Sequence, residues 1–158
     1  MNNNCATIEK FYTAFQQLDF TTMNNCCADD IAFNDPVFGL LIGKETKLMW
    51  QMLCTQAKDF SLQFDSIHSD DGEYYTCNWN TSYIFLATNK RVINCCKAYM
   101  RLQNGIITEH SDAFNYYRWC RQAFGLKGLL FGWTRWMHNH INKKAKQQLK
   151  LFAEKHHE

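Results

Sequence analysis

Proline is almost absent: Pro36 is the only one in 158 residues, and glycine is sparse at seven. No stretch is rich in proline or serine, and neither repeats nor low-complexity segments occur. Linkers between domains are built from such compositions, so one compact domain is expected, within the usual range of about 100–200 residues. Cys-x-x-Cys is missing as well, although the chain has eight cysteines. The doublets Cys26-Cys27 and Cys95-Cys96 provide no turn around an ion, whereas structural zinc ligands come in pairs about two to four residues apart. Reduced, partly buried thiols of a cytoplasmic protein are the expectation. An excess of either charge is lacking, with 17 basic against 15 acidic side chains. That balance gives no reason to expect a nucleic-acid partner, which normally needs a clustered basic face. No apolar run approaches the roughly 18 residues of a membrane span. The opening "MNNNCATIEKF" has neither the basic nor the apolar region of a signal peptide.

What the chain has is apolar and aromatic bulk: 46% hydrophobic residues, with twelve Phe, seven Tyr and five Trp. A chain of this size buries a core without covalent staples. Ile8, Phe11, Tyr12, Phe15 and Leu18 recur at helical spacing, predicting a helix over residues 4–18 capped by Asn4. A second short helix fits residues 21–28, with Thr21 or Thr22 as cap. "IAFND" reads as a strand stopped by Pro36, "FGLLIG" as a loop between Gly39 and Gly43, and "KETKLMWQMLCTQ" as a third helix. From residue 59 the rhythm becomes two. "FSLQFDSIHS", "EYYTCNWNTSYIFL", "RVINCCKAYMRLQ" and "IITEHSDAFNYY" are four strands, joined by turns at Asp71-Gly72, Asn89-Lys90 and Asn104-Gly105. Residues 117–124 return to a helical turn or two. "GLKGLLFGW" reads as a glycine-broken apolar link, and residues 134–155 as a basic helix. Helices first and then long antiparallel strands make the chain α+β.

Three stretches in this order, "ADDIAFNDPVFG", "GKETKLMW" and "LQNGIITEHSDAFNYYRW", resemble the SnoaL-like members of the NTF2-like superfamily. Ketosteroid isomerase, limonene epoxide hydrolase and the polyketide cyclases belong to that superfamily. The resemblance covers most of residues 4–125. It implies a curved antiparallel sheet wrapped as a cone on the N-terminal helices, a mainly apolar pocket inside, and a homodimer formed through the sheet. Residues 1–125 would form this domain, and residues 126–158 a C-terminal extension with a basic amphipathic helix packed on it. A small hydrophobic molecule is the implied ligand, and no cofactor is expected.

Fold does not carry function, which rests with individual site residues. Asp35 stands where ketosteroid isomerase-like proteins keep a general base. A carboxylate in an apolar cone is poorly solvated and rises toward the range useful for proton transfer. Equally, an Asp before Pro36 can cap the turn that follows it by accepting backbone N–H groups. Phe11 occupies the place of the isomerases' oxyanion-hole tyrosine, with Tyr12 turned about 100° away, and Ala98 that of the second donor. Asp112 matches the last-strand aspartate of limonene epoxide hydrolase, but Asn78 and Asn80 stand where its arginine and partner aspartate would be. Neither parent mechanism is therefore expected unaltered.

His110 and Asp112, two apart on a strand, share a face with Phe114. A carboxylate beside an imidazole sets its tautomer and makes it a usable acid or base; a structural network bonded to Arg118 or to backbone is the alternative. A metal would need a third ligand, and none is at hand. Trp50, Trp79, Tyr83, Asn94 and Phe114 are candidate ligand contacts, the aromatics serving equally well as core. Trp133, Trp136 and Met137 precede a run of lysines, a pattern that a membrane-surface helix shares. A lid or dimer-supporting helix is preferred, because most such helices pack an apolar stripe and leave lysines in water. His156 and His157 are expected in solvent. Two functions remain open: an isomerase, cyclase or hydrolase using Asp35, His110 and Asp112 for proton transfer, or a non-catalytic ligand-binding or dimerisation module.

Overall fold

A computed structural model describes residues 3–156 of the chain. The elements run α1 (Asn3–Gln16), α2 (Phe20–Asn25), β1 (Cys27–Asp35), β2 (Gly39–Ile42), α3 (Lys44–Gln56), β3 (Ser61–His68), β4 (Tyr74–Phe85), β5 (Lys90–Gln103), β6 (Ile106–Ala113), α4 (Tyr116–Phe124), α5 (Leu126–Phe131) and α6 (Arg135–Lys155). The six strands form one curved, unclosed sheet in the order β2-β1-β6-β5-β4-β3. Only β1 and β6 run parallel; the other neighbours are antiparallel. This is the expected α+β cone with an additional C-terminal helix.

The two-residue period decides which side of each strand enters the cone. On β5, Val92, Asn94, Cys96, Ala98, Met100 and Leu102 are buried, while Ile93, Cys95, Lys97 and Tyr99 between them are exposed. On β4, Tyr75, Cys77, Trp79 and Thr81 point inward. The β5–β6 turn places Asn104 at φ 51° and Gly105 at φ 77°, the left-handed pair that a type I′ hairpin needs. From the other side α1 delivers Ile8, Phe11, Tyr12 and Phe15, and α3 delivers Met49, Trp50, Met52 and Cys54.

Four local expectations need correction. Asn4 lies within α1 and not ahead of it; its side chain accepts from Gly105 N and donates to the Gly72 carbonyl, tying the helix to two hairpin turns. The cap of α2 is Asp19, which accepts from Thr22 N, since a carboxylate placed one residue before the helix reaches the orphan N–H groups better than a hydroxyl inside it. "FGLLIG" contains strand β2: Gly39 and Gly43 take positive φ and reverse the chain, so that Leu40 and Leu41 pair with Asn34 and Phe33. The glycine-broken link holds helix α5. Its Gly128 is buried against the Cys120 backbone, and a Cβ there would fall on the Cys120 carbonyl oxygen.

Helix α6 turns Met137, Ile141, Leu149 and Phe152 inward. Leu149 and Phe152 join the main core. Met137 and Ile141 form a second cluster with Val92, Trp119, Cys120 and Ala123, and Val37 and Phe114 touch both clusters. The end of the cone next to Asp35 is thus closed by α4 and α6. His156 is exposed, stacked on Phe152; His157 lies outside the described residues. No helix among the described residues is long and apolar enough to cross a membrane.

Overpacking at a helix–helix contact costs about 1–3 kcal/mol. Gly128→Ala should therefore lower the thermal midpoint by several degrees, about 2–4 °C per kcal/mol for a chain of this length. A neighbouring Lys127→Ala change, at an exposed position, should leave it unmoved. Equal midpoints for both variants in a calorimetric scan would contradict this packing.

Candidate active site

The polar centre of the cone is built by three strands. In register, Asp112 of β6 faces Ala98 of β5, and Ala98 faces Cys77 of β4. One row on, Cys96 faces Trp79, then Asn94 faces Thr81, and Val92 faces Tyr83. Ala98 has no bulk beyond Cβ, so the Trp79 indole reaches diagonally across β5 and its Nε1–H donates to Asp112 Oδ1 at 3.1 Å. His110 Nε2 lies 2.9 Å from the same oxygen. Because a carboxylate only accepts, Nε2 carries the proton, and in the neutral ring Nδ1 holds the lone pair. The pair expected merely to share a face therefore touches directly. His110 and Asp112 are 3% and 6% exposed, and Arg118, exposed on α4, takes no part in the network.

Aromatic rings wall the imidazole on three sides. Phe11, Phe33 and Trp50 stand with ring centroids 5.6, 5.4 and 5.7 Å from it. Trp50 also packs edge-on against Phe11 and Phe15 and is itself buried. The deep part of the cone is thus filled by side chains. An open groove beside Leu40, Tyr74 and Tyr99 on the convex sheet face reaches the strands at Phe33 and His110, and another lies along α1 at Glu9, Thr13 and Gln17.

Asp35 ends β1, the strand beside β6. Its Oδ1 accepts from Val37 N at 2.9 Å and Phe38 N at 2.6 Å, the Asx geometry expected of a residue before Pro36. Among the described residues Oδ2 accepts no hydrogen bond. Asp35 is half-buried, and desolvation, opposed by the Phe38 N–H and reinforced by the negative charge of Asp112, pushes the carboxyl up to about 7. The turn that presents it is fastened from outside: His138 Nε2 of α6 donates to the Pro36 carbonyl at 2.8 Å, and Asn142 Nδ2 donates to the Val37 carbonyl at 2.8 Å.

Further polar side chains lie inside the cone, and of these Tyr83 is near enough to feel the Asp35 charge. Tyr83 Oη accepts from Trp119 Nε1 at 2.9 Å, leaving its own proton to give; burial holds the phenol up at about 12, and the Asp35 charge adds to this. The carboxamide of Asn94 is 9% exposed and makes no hydrogen bond among the described residues. Phe114 packs between the two core clusters. Tyr12, although about 100° from Phe11 around the helix, is buried beside it, because α1 sinks deeply enough to bury both neighbours. Its ring stacks on Phe64, and its hydroxyl is buried without a partner. Burial and the charge of Asp112 raise that phenol well above its ordinary value, so it stays a donor. Its place in the apolar repeat of α1 was the available signal. No group of three or more His, Cys, Asp or Glu placed to hold a metal exists among the described residues.

A model of the SnoaL-like domain family matches residues 8–110. Similar solved structures include an NTF2-like protein of unknown function from Burkholderia pseudomallei, with 18% identity, TM-score 0.67, and coverage of 79% of this chain and 100% of that one. An LEH-like epoxide hydrolase from M. tuberculosis shares 23% identity over 85% of this chain and 95% of its own, with TM-score 0.63. A protein of ketosteroid isomerase-like fold from Catenulispora acidiphila, solved with trimethylamine, shares 11% identity over 74% of this chain and 91% of that one, with TM-score 0.64. A comparison with curated proteins finds no match.

Asp35 carries a stability signature. Its carboxyl is raised in the folded state from 3.8 to about 7. Between those values the folded chain keeps a proton that the unfolded chain has lost, so this contribution to stability is lost as pH rises through the window. Asp35→Asn retains an Oδ1 acceptor for Val37 and Phe38 but has no charge to bury. Between about pH 5 and pH 8 the variant should lose about 2 kcal/mol less stability than the parent chain. Urea unfolding at the two pH values measures this, and parallel pH profiles would refute it.

Proposed function

The chain belongs to the SnoaL-like domain family, and on that footing we propose that it is a cofactor-independent proton-transfer enzyme acting on a small, mainly hydrophobic molecule. Asp35 is the general base. The observation that carries the reading is its divided carboxylate: Oδ1 is locked by two backbone N–H groups, Oδ2 is unengaged, and the pair is tuned to about 7. A base so held is oriented without being consumed by its own scaffold, and its pKa suits proton transfer near neutrality.

Tyr83 and Asn94 would orient a polar atom of the substrate, and the unpartnered Tyr12 hydroxyl would donate to oxygen that gains charge as the proton leaves. Asp112 fixes the tautomer of His110, and Trp79 fixes Asp112, so this trio holds a charge near the base more than it meets substrate. Trp50 and Phe114 supply apolar wall. Isomerase, cyclase and hydrolase chemistry all begin with such a step. Because α4 and α6 cover the site, entry requires the His138 and Asn142 contacts with the Asp35 turn to open, which gives the C-terminal helix the part of a lid.

A non-catalytic binding module is the second reading, favoured by the Asx turn at Asp35 and by the filled cone around Trp50. A panel of small apolar ketones, incubated in deuterated buffer and followed by mass spectrometry, separates the two. Exchange at the carbon next to the carbonyl should rise with pH to a plateau above about 7 and fall at least about 100-fold in Asp35→Asn. Thermal-shift binding of panel members without any exchange would leave only the binding module.

We also place the working unit as a cytoplasmic homodimer joined through the convex sheet face. The exposed Tyr74, Ile93 and Tyr99 on that face support the interface, and the eight unpaired cysteines, Cys95 exposed among them, suit a reducing compartment. Sedimentation should give twice the chain mass, and Tyr99→Glu should halve it; a monomeric parent chain removes the dimer.

A further inference from the structure

The segment joining the cone to its cover exposes an unusual amount of apolar surface. Leu126, Leu129, Leu130 and Phe131 of α5 and Trp133 and Trp136 beside it all face out, the two indoles 75% and 69% exposed. They follow one another within eleven residues around a single turn, so they form one continuous tip. Scattered exposed leucines need no account, whereas a contiguous patch of this kind marks a contact surface.

Two further observations identify the partner. The first concerns backbone polarity. The carbonyl of Gly128 accepts from Gly132 N, that of Leu129 from the Tyr117 hydroxyl, that of Leu130 from Trp133 Nε1, and that of Phe131 from both Thr134 N and Thr134 Oγ1. The carbonyls at the end of a helix usually depend on water. Here local donors satisfy them, which is the condition for immersing backbone in lipid. The second concerns charge. From residue 113 to residue 153 the chain has eight basic side chains and no acidic one. The remainder carries nine basic against fifteen acidic side chains, so the near-neutral total conceals a strong polarity. On α6, Trp136, Lys143 and Lys150 recur every seven residues and therefore share one solvent-facing stripe; all three are exposed.

We propose that the α5 turn and the outer face of α6 dock on an anionic lipid bilayer, the Leu, Phe and Trp tip entering the interface while the lysine stripe lies along the headgroups. Aromatic and leucine side chains beside basic residues are the composition of interfacial helices. A second copy of the chain fits the tip less well, since it would bring the same basic face against itself. This surface is distinct from the Asp35 centre, although α6 serves both.

The test uses the full chain with phosphatidylcholine vesicles, alone or containing about one-third phosphatidylserine. Sedimentation with the anionic vesicles only, weakening as salt rises, is expected, together with quenching of tryptophan emission by lipids brominated at shallow acyl positions. Trp133→Glu with Trp136→Glu should lower partitioning at least about tenfold, and Lys143→Gln with Lys150→Gln should do so by about the same factor. All four positions are exposed, so unchanged thermal midpoints will show that the variants fold. Absence of sedimentation with anionic vesicles overturns the proposal, as does binding that the indole changes leave intact. Self-association through the tip without vesicle binding also overturns it and hands the surface to a second copy.

Discussion

One carboxylate inside an apolar cone governs the interior of this molecule. Asp112 is buried among rings and thiols and accepts from His110 and Trp79 on a single oxygen. A buried acceptor left without donors is costly, so the surroundings are built to supply them. Ala98 must be small for the Trp79 indole to cross β5, and His110 must present Nε2 from the adjacent inward position of the same strand. The charge then acts on its neighbours. It helps to raise the phenol of Tyr12, the thiols of Cys77 and Cys96, and the carboxyl of Asp35.

Burial that tunes Asp35 also leaves other polar groups without partners. Tyr12 Oη is orphaned against the core, as is Thr46 Oγ1, although an apolar residue of similar size would have cost less at each. Such sites are where a fold departs from local optimality for a reason of use. The C-terminal helices complete the arrangement. By donating to the Pro36 and Val37 carbonyls, α6 makes the position of the Asp35 turn depend on a segment more than one hundred residues away in sequence.

Much of the architecture was readable in the residues because the periodicities were clean. Strands β3 to β6 and helix α3 lie within a residue or two of their hydrophobic patterns, apart from the irregular exit of β6, and the Asn-Gly hairpin took its expected backbone. Where expectation failed, the cause was a competing interaction. Gly39 and Gly43 signalled a loop, yet the sheet edge at β1 could still recruit the residues between them as β2. Thr21 and Thr22 were plausible caps until Asp19, one turn earlier, proved to have the stronger acceptor. Tyr12 was judged by its angle from Phe11, but a helix sunk into a cone buries more than the narrow stripe that such a judgement assumes.

By itself the amino-acid order determined the alternation that sorts side chains to the two faces of the sheet, the placement of Asp35, His110 and Asp112 on strands, and the polarity between an acidic body and a basic tail. These follow from local geometry, which a two- or 3.6-residue period encodes directly. Tertiary structure alone decided that His110 and Asp112 touch, that Trp79 joins them across an intervening strand, and that α6 fastens the Asp35 turn. Contacts between residues distant in sequence depend on register, curvature and the size of what lies between, and no local pattern records these quantities.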